Sequence, residues 1–205
     1  QMNGILRFNE RQVNIERLTA LSGGGALHFS GMAEYSQKQL SYRLDIQVER
    51  VRFRYPESVS SVVEGNLMFT GTNLQSLVGG DILVRRVTIS SDLELDTMLA
   101  SLAEPRQTLP SNPTLDNMQL DVRIDSISDL RVETALVRNA IADLDLRLAG
   151  TVLDPALLGQ INMTQGELDF QGTRYDVNRG YISFVNLSRI DPVIDFELET
   201  RVRDT

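Results

Sequence analysis

The sequence predicts an all-β fold, an elongated antiparallel sheet with one apolar face and a single short amphipathic helix. Three observations carry that expectation. Apolar residues recur at every second position along most of the chain, the spacing of one face of a pleated strand. Glycines and short polar turns, among them Ser22 to Gly25, Gly71 to Asn73 and Arg179-Gly180, separate the alternating runs. Parallel crossovers would need helical connections of about a dozen residues, and one candidate helix exists, so antiparallel meanders are favoured.

Taken in order, the first run repeats later in the chain. A shift of 162 residues aligns Gly4, Leu6, Phe8 and Arg17 with Gly166, Leu168, Phe170 and Arg179. The same glycine, apolar, phenylalanine unit recurs as Gly25, Leu27, Phe29, Gly31 and as Gly65, Leu67, Phe69, Gly71. In each copy the glycine is expected to let the chain turn and the next two alternating residues to point inward. The clearest strand follows, with Leu40, Tyr42, Leu44, Ile46 and Val48 set against Ser41, Arg43, Asp45, Gln47 and Glu49. After Glu49 the phase slips to Val51, Phe53 and Tyr55. A slip would turn apolar side chains to the wrong face unless an extra residue is absorbed, so a bulge is expected near Glu49 to Val51.

The candidate helix runs from about Leu93 to Ala103, where Leu95, Met98, Leu99 and Leu102 form one stripe. Ser91 or Asp92 is placed to cap it, and Pro105 cannot continue it. Glu104 to Thr114 holds three prolines and reads as a connector. The chain therefore divides into a repeat-like β-segment (1–91), a helix and proline-rich connector (92–114) and a second β-segment (115–205). Alternation returns at Leu120, Val122, Ile124, at Ala142, Leu144, Leu146, Leu148, and at Ile194, Phe196, Leu198.

Composition narrows the function classes. The 205 residues are 41% hydrophobic, with no cysteine and no tryptophan, so neither disulfides nor a cysteine-ligated metal is available. A net charge of -8 argues against general binding to nucleic acid or anionic headgroups. No apolar run of about 18 residues occurs, and Gln1 to Glu10 lacks the regions of a signal peptide. Any membrane anchor or export signal is expected outside this chain.

The carboxy-terminal half is the more specific. Leu148 and Gly150 are followed by Asp154-Pro155, Leu158-Gly159, then Gly166, Leu168, Phe170, Gly172 and Tyr175. Arg179-Gly180, Ile182, Phe184, Asn186 and Ile190-Asp191-Pro192 complete the series. In order and spacing this resembles the conserved C-terminal domain of the TamB family, over roughly residues 60–205 and, in repeat style only, over the first 60. The resemblance implies a folded-over antiparallel β-sheet, a β-taco, with an apolar interior groove. It implies the periplasm as location, as part of an inner-membrane-anchored protein of a double-membraned bacterium. The family is similar to AsmA-like and bridge-like lipid transfer proteins. Its implied roles are carrying phospholipid toward the outer membrane and, with a barrel partner of the TamA type, outer-membrane protein assembly. Contact with the barrel is expected in a terminal tail beyond Thr205.

The alternation supports the groove in physical terms. A sheet with one apolar face must cover it with a second sheet, with helices, or by curling. The inward candidates are dominated by Leu, Ile and Val, with small or polar interruptions at Gly31, Ala33 and Thr200, which leaves space for a guest. An acyl chain fills it without a specific polar contact: at about 0.8 kcal/mol per methylene, sixteen carbons gain roughly 10 kcal/mol over water. The expected lining is Leu120, Val122, Ile124, Leu144, Leu146, Leu148, Leu168, Phe170, Ile182, Phe184, Ile194, Phe196 and Leu198, each of which also suits ordinary core.

Catalysis has little support. His28 is the sole histidine and lies between Leu27 and Phe29, on the solvated side of its strand. Asp143 with Asp145, and Asp195 with Glu197, mark wet strand faces more simply than an acid/base pair or a calcium site. Gly23-Gly24-Gly25 lacks the strand-to-helix context of a phosphate loop. No enzyme activity, metal or cofactor is expected. The rival classes are a closed β-sandwich adhesin or glycan-binding module, and a β-helix enzyme on polysaccharide.

Overall fold

The computed structural model describes residues 2–36, 39–54, 59–89, 117–133, 137–170, 173–187 and 190–200. Its elements are β1 (Met2–Phe8), β2 (Gln12–Ser22), β3 (Gly25–Ser36), β4 (Gln39–Arg54), β5 (Val59–Thr72) and β6 (Ser76–Ile89). They continue with β7 (Met118–Ser126), β8 (Leu130–Glu133), β9 (Val137–Thr151), β10 (Pro155–Phe170), β11 (Thr173–Phe184) and β12 (Pro192–Thr200). All twelve belong to one sheet, in the order β1-β2-β3-β4-β5-β6-β7-β9-β10-β11-β12, with β8 between β6 and β9. Residues of 1–91 and of 115–205 thus contribute to the same sheet. The candidate helix and the proline-rich connector lie outside the described residues.

Neighbouring strands are antiparallel except where β6 meets β7 and β8. β6 pairs with β7 in parallel, Ser76 opposite Met118 and Val84 opposite Ser126. The purely antiparallel meander is corrected along this side of β6, and the 28 residues between Ile89 and Met118 are ample for the return a parallel pair requires. After a turn in which Asp129 has φ +59°, β8 resumes the line of β7, parallel to β6 and antiparallel to β9.

The phase slip at Glu49 to Val51 is absorbed as expected. The β4–β5 register shifts between Val48 and Val51, and Arg50 takes φ +47°, so both valines return to one face and both are buried. The repeat also has a structural counterpart. The β2–β3 register shifts between Ile15 and Leu18, and the β11–β12 register shifts at Val177/Arg179, the positions 162 residues on from Ile15 and Arg17.

The role expected for the repeat glycines needs correction. Gly4, Gly65 and Gly166 lie inside strands, and of the four unit-opening glycines Gly25 alone begins a strand after a turn. The reason at Gly65 is close approach: a Cβ there would overlap the carbonyl oxygen of Asp81 on β6. The paired residues Leu67 and Phe69 nevertheless share its face, as the two-residue period demands.

Among the described residues, fully enclosed apolar side chains are few. Leu130, Ala140 and Ala142 are the most enclosed. Ala140, Met163 and Val177 form a small core packed by Val132, Val137 and Leu168.

Candidate functional site

Residues directly opposite one another on paired strands share a face, so the registers trace rows that run across the sheet. One row is Leu27, Val48, Gly65, Ile82, Ile124, Leu146, Gly159 and Phe184, one residue from each of eight strands. Beside it run Phe29, Ile46, Leu67, Gly80, Val122, Leu148 and Leu157. A third row is Gly31, Leu44, Phe69, Val78, Leu120 and Gly150. Toward β12 the face continues as Leu144, Ile161, Ile182, Ile194 and as Ala142, Met163, Gly180, Phe196. No charged residue interrupts these rows. At about 4.8 Å per strand the first extends roughly 34 Å, about twice the depth of one leaflet's hydrocarbon.

The candidate lining falls into place unevenly. Leu120, Val122, Ile124, Leu144, Leu146, Leu148, Ile182 and Phe184 sit in the rows and are buried or half-buried, with Val122 and Leu146 the most enclosed. Ile194, Phe196 and Leu198 stand on the same face but are exposed, β12 having a neighbour on one side only among the described strands. The Phe196 ring lies over Gly180, where a Cβ would overlap it. Leu168 packs against the Ala140, Met163 and Val177 core. Phe170 lies opposite Thr173 at the end of β10.

A family model for the TamB C-terminal domain matches residues 16–205. The chain belongs to the TamB family. The match begins well before residue 60, so β3, β4 and β5 fall within it, while β1 precedes it. No curated protein and no solved structure matches the chain.

Strands β3 to β6 of the TamB domain supply residues that the candidate lining omits. Phe29, Ile46 and Leu67 share the row of Val122 and Leu148, Val78 that of Leu120, and Ile82 that of Ile124 and Leu146. Their signal was the two-residue alternation itself, present in β4 as clearly as in β9. Leu130 was missed for a different reason: four residues after a turn carry too short a pattern to mark a strand.

Among the described residues, one buried side-chain hydroxyl on the apolar face lacks a partner. Tyr42 packs against Phe69 with ring centroids 4.7 Å apart, and its hydroxyl is buried without a hydrogen-bond partner. A buried, unsatisfied hydroxyl costs more than the bond it fails to make. Tyr42→Phe is therefore expected to raise stability on the order of 1 kcal/mol, read as a higher urea midpoint at unchanged slope. A lower midpoint would show that the hydroxyl is satisfied.

The opposite face of the TamB domain carries the charged strand residues, with half-buried Met68, Leu77, Leu83 and Leu158 among them. Asp143, Asp145, Asp195 and Glu197 all lie on it as exposed residues, and Glu197 pairs with Arg179 at 3.7 Å. His28 is on this face too, 3.1 Å from the Thr19 hydroxyl and 3.5 Å from Glu49. A depression of 710 Å³ is lined by His28, Ser30, Asp45, Gln47, Asn66, Met68 and Asp121 together with Phe29, Ile46 and Leu67, and none of the thirteen candidate residues lines it. The candidate site is carried instead by the uncharged apolar rows.

Like charges meet across the β7–β9 ladder, Arg123 opposite Arg147 and Asp125 opposite Asp145. Arg147 turns away to donate from Nε to Asp121 Oδ1 at 2.8 Å. That hydrogen bond holds the Asp121 carboxyl below its ordinary range, despite an opposing desolvation effect. The pair's contribution is present above the unfolded carboxylate pKa and is lost as pH falls through the lowered folded one. Arg147→Gln should return the Asp121 titration upward toward the ordinary range by NMR; an unmoved titration would exclude the arginine as the cause.

Proposed function

We propose that this chain is a periplasmic segment of a TamB-type conduit whose apolar sheet face carries the acyl chains of phospholipids between the inner and outer membranes. The observation that carries the reading is the set of uncharged rows crossing up to eight strands, on one face of one sheet. An acyl chain laid along a row exchanges apolar contacts for apolar contacts, so it moves without returning to water. The polar headgroup stays in solvent. Nothing in this account requires a bond to be made or broken, and the chain acts as a passage rather than an enzyme.

Family membership supports a part in translocation and assembly at the bacterial envelope. Partnership with an outer-membrane barrel of the TamA type belongs to the same reading.

Native mass spectrometry of the purified chain, followed by lipid extraction, tests the proposal. The expected result is co-purifying phospholipid that is released when detergent competes for the apolar rows. A chain that purifies free of lipid and takes up none from vesicles would overturn it.

A further inference from the structure

The apolar face changes character one row beyond those traced above. The rows through Val48, Ile46 and Leu44 of β4 carry no side-chain nitrogen or oxygen. The next row toward the β5–β6 turn is Ala33, Tyr42, Gly71, Ser76 and Met118, and it brings two hydroxyls onto the face. Ser76 is buried. Tyr42 is half-buried as a residue, yet its Oη is enclosed and has no hydrogen-bond partner. Past this row lie the exposed turn residues Asn73, Leu74 and Gln75.

The side chains around Tyr42 offer its hydroxyl no acceptor. Ala33 and Gly71 stand opposite it across the two ladders, and its ring contact is with Phe69 at 4.7 Å. A phenol is both donor and acceptor, and leaving it buried without either bond is unfavourable.

We propose that the Tyr42 hydroxyl donates a hydrogen bond to an acyl ester carbonyl of phospholipid held on the apolar face. The inference rests on the conduit reading above and adds a polar subsite to it. A phospholipid with its acyl chains on the uncharged rows and its headgroup in solvent past the turns places its ester linkages at the boundary between the two, which is the row of Tyr42. The dimensions agree. From Tyr42 to Val48, six residues along β4 at about 3.4 Å each, the uncharged rows extend roughly 20 Å, against ~15 Å for the hydrocarbon of one leaflet. Meeting the carbonyl requires Oη to turn toward the open side of the sheet, and the small neighbours Ala33 and Gly71 leave the ring room to do so. Side-chain rotation of this kind is common on binding. The group that destabilises the lipid-free sheet thus strengthens its hold on an ester-linked lipid.

Dioleoyl phosphatidylcholine and its dioctadecenyl ether counterpart share headgroup and chain length, and the ether lacks both carbonyl oxygens. Vesicles holding equal amounts of the two are offered to the unsubstituted chain and to Tyr42→Phe, and the lipid bound to each protein is quantified by mass spectrometry. The ester-to-ether ratio on the unsubstituted chain should exceed that on Tyr42→Phe by roughly two- to tenfold, the worth of one neutral hydrogen bond. Comparing the two proteins on one vesicle population cancels any difference in how readily the lipids leave the bilayer. The infrared stretch of the bound ester carbonyl should also lie lower on the unsubstituted chain than on Tyr42→Phe, a shift that a packing role for the ring would not produce. Equal ratios, with lipid bound by both proteins, would overturn the ester contact and leave the conduit standing. Absence of both lipids from both proteins would overturn the conduit, and this contact with it.

Discussion

Leu146→Lys is expected to destabilise the chain by roughly 3 kcal/mol or more, because it forces a cation into an enclosed apolar site with no counter-charge. Leu146 is 7% exposed and lies between Ile124 on β7 and Gly159 on β10. Space there is set by Gly159, which has φ +108° and whose Cβ, if present, would overlap the Asp145 carbonyl. The neighbouring Asp145→Lys should behave in the opposite manner. Asp145 is exposed and faces Asp125 across the ladder, so reversing its charge replaces a repulsion with an attraction and leaves stability within about 0.5 kcal/mol. Urea melts of the two variants give the comparison directly.

The same pair of positions separates the two faces functionally without depending on stability. A photo-crosslinking side chain at 146 should capture acyl chains, and one at 145 should capture few. Equal capture at both would end the assignment of lipid to the apolar rows, even if both proteins were fully folded.

The second large effect is expected at Leu130, whose side chain is fully buried. It stands on β8, opposite Ala142, and small neighbours leave its isobutyl group to fill the space. Leu130→Ala should cost about 2 to 5 kcal/mol, the range for truncating a buried leucine where the surroundings relax only in part. Leu153→Ala, at an exposed position in the β9–β10 turn, should cost much less. Comparable losses in thermal or urea melts would show that β8 does not fix the junction between β6 and β9.

Strand identity was legible in the sequence wherever alternation ran long enough. Leu40 to Val48 gave β4, Leu144 to Leu148 gave the middle of β9, and the slip after Glu49 gave the bulge, because the two-residue period forces a choice of face at every position. The TamB resemblance was legible in the glycine, proline and aromatic spacing from Leu148 to Pro192. The division into an apolar and a polar face followed from the same period, including the placement of His28 and the strand carboxylates on the polar side.

Only the tertiary structure decided which strands meet and in which sense. Alternation within a strand says nothing about its partner, so neither the parallel β6–β7 pairing nor the insertion of β8 beside β9 could be read from it. The repeat glycines looked like turns in the sequence, and the fold placed Gly4 and Gly65 inside strands where another backbone comes too close for a Cβ. Exposure was equally a matter of position. Ile194, Phe196 and Leu198 alternate as well as Leu144, Leu146 and Leu148 do, yet the first three are exposed, since among the described strands β12 has one neighbour and β9 is flanked on both sides. The sequence by itself determined the strands and their two faces, since those depend on local period; order, direction and burial depend on contacts between residues far apart in the chain, and only the folded sheet supplies them.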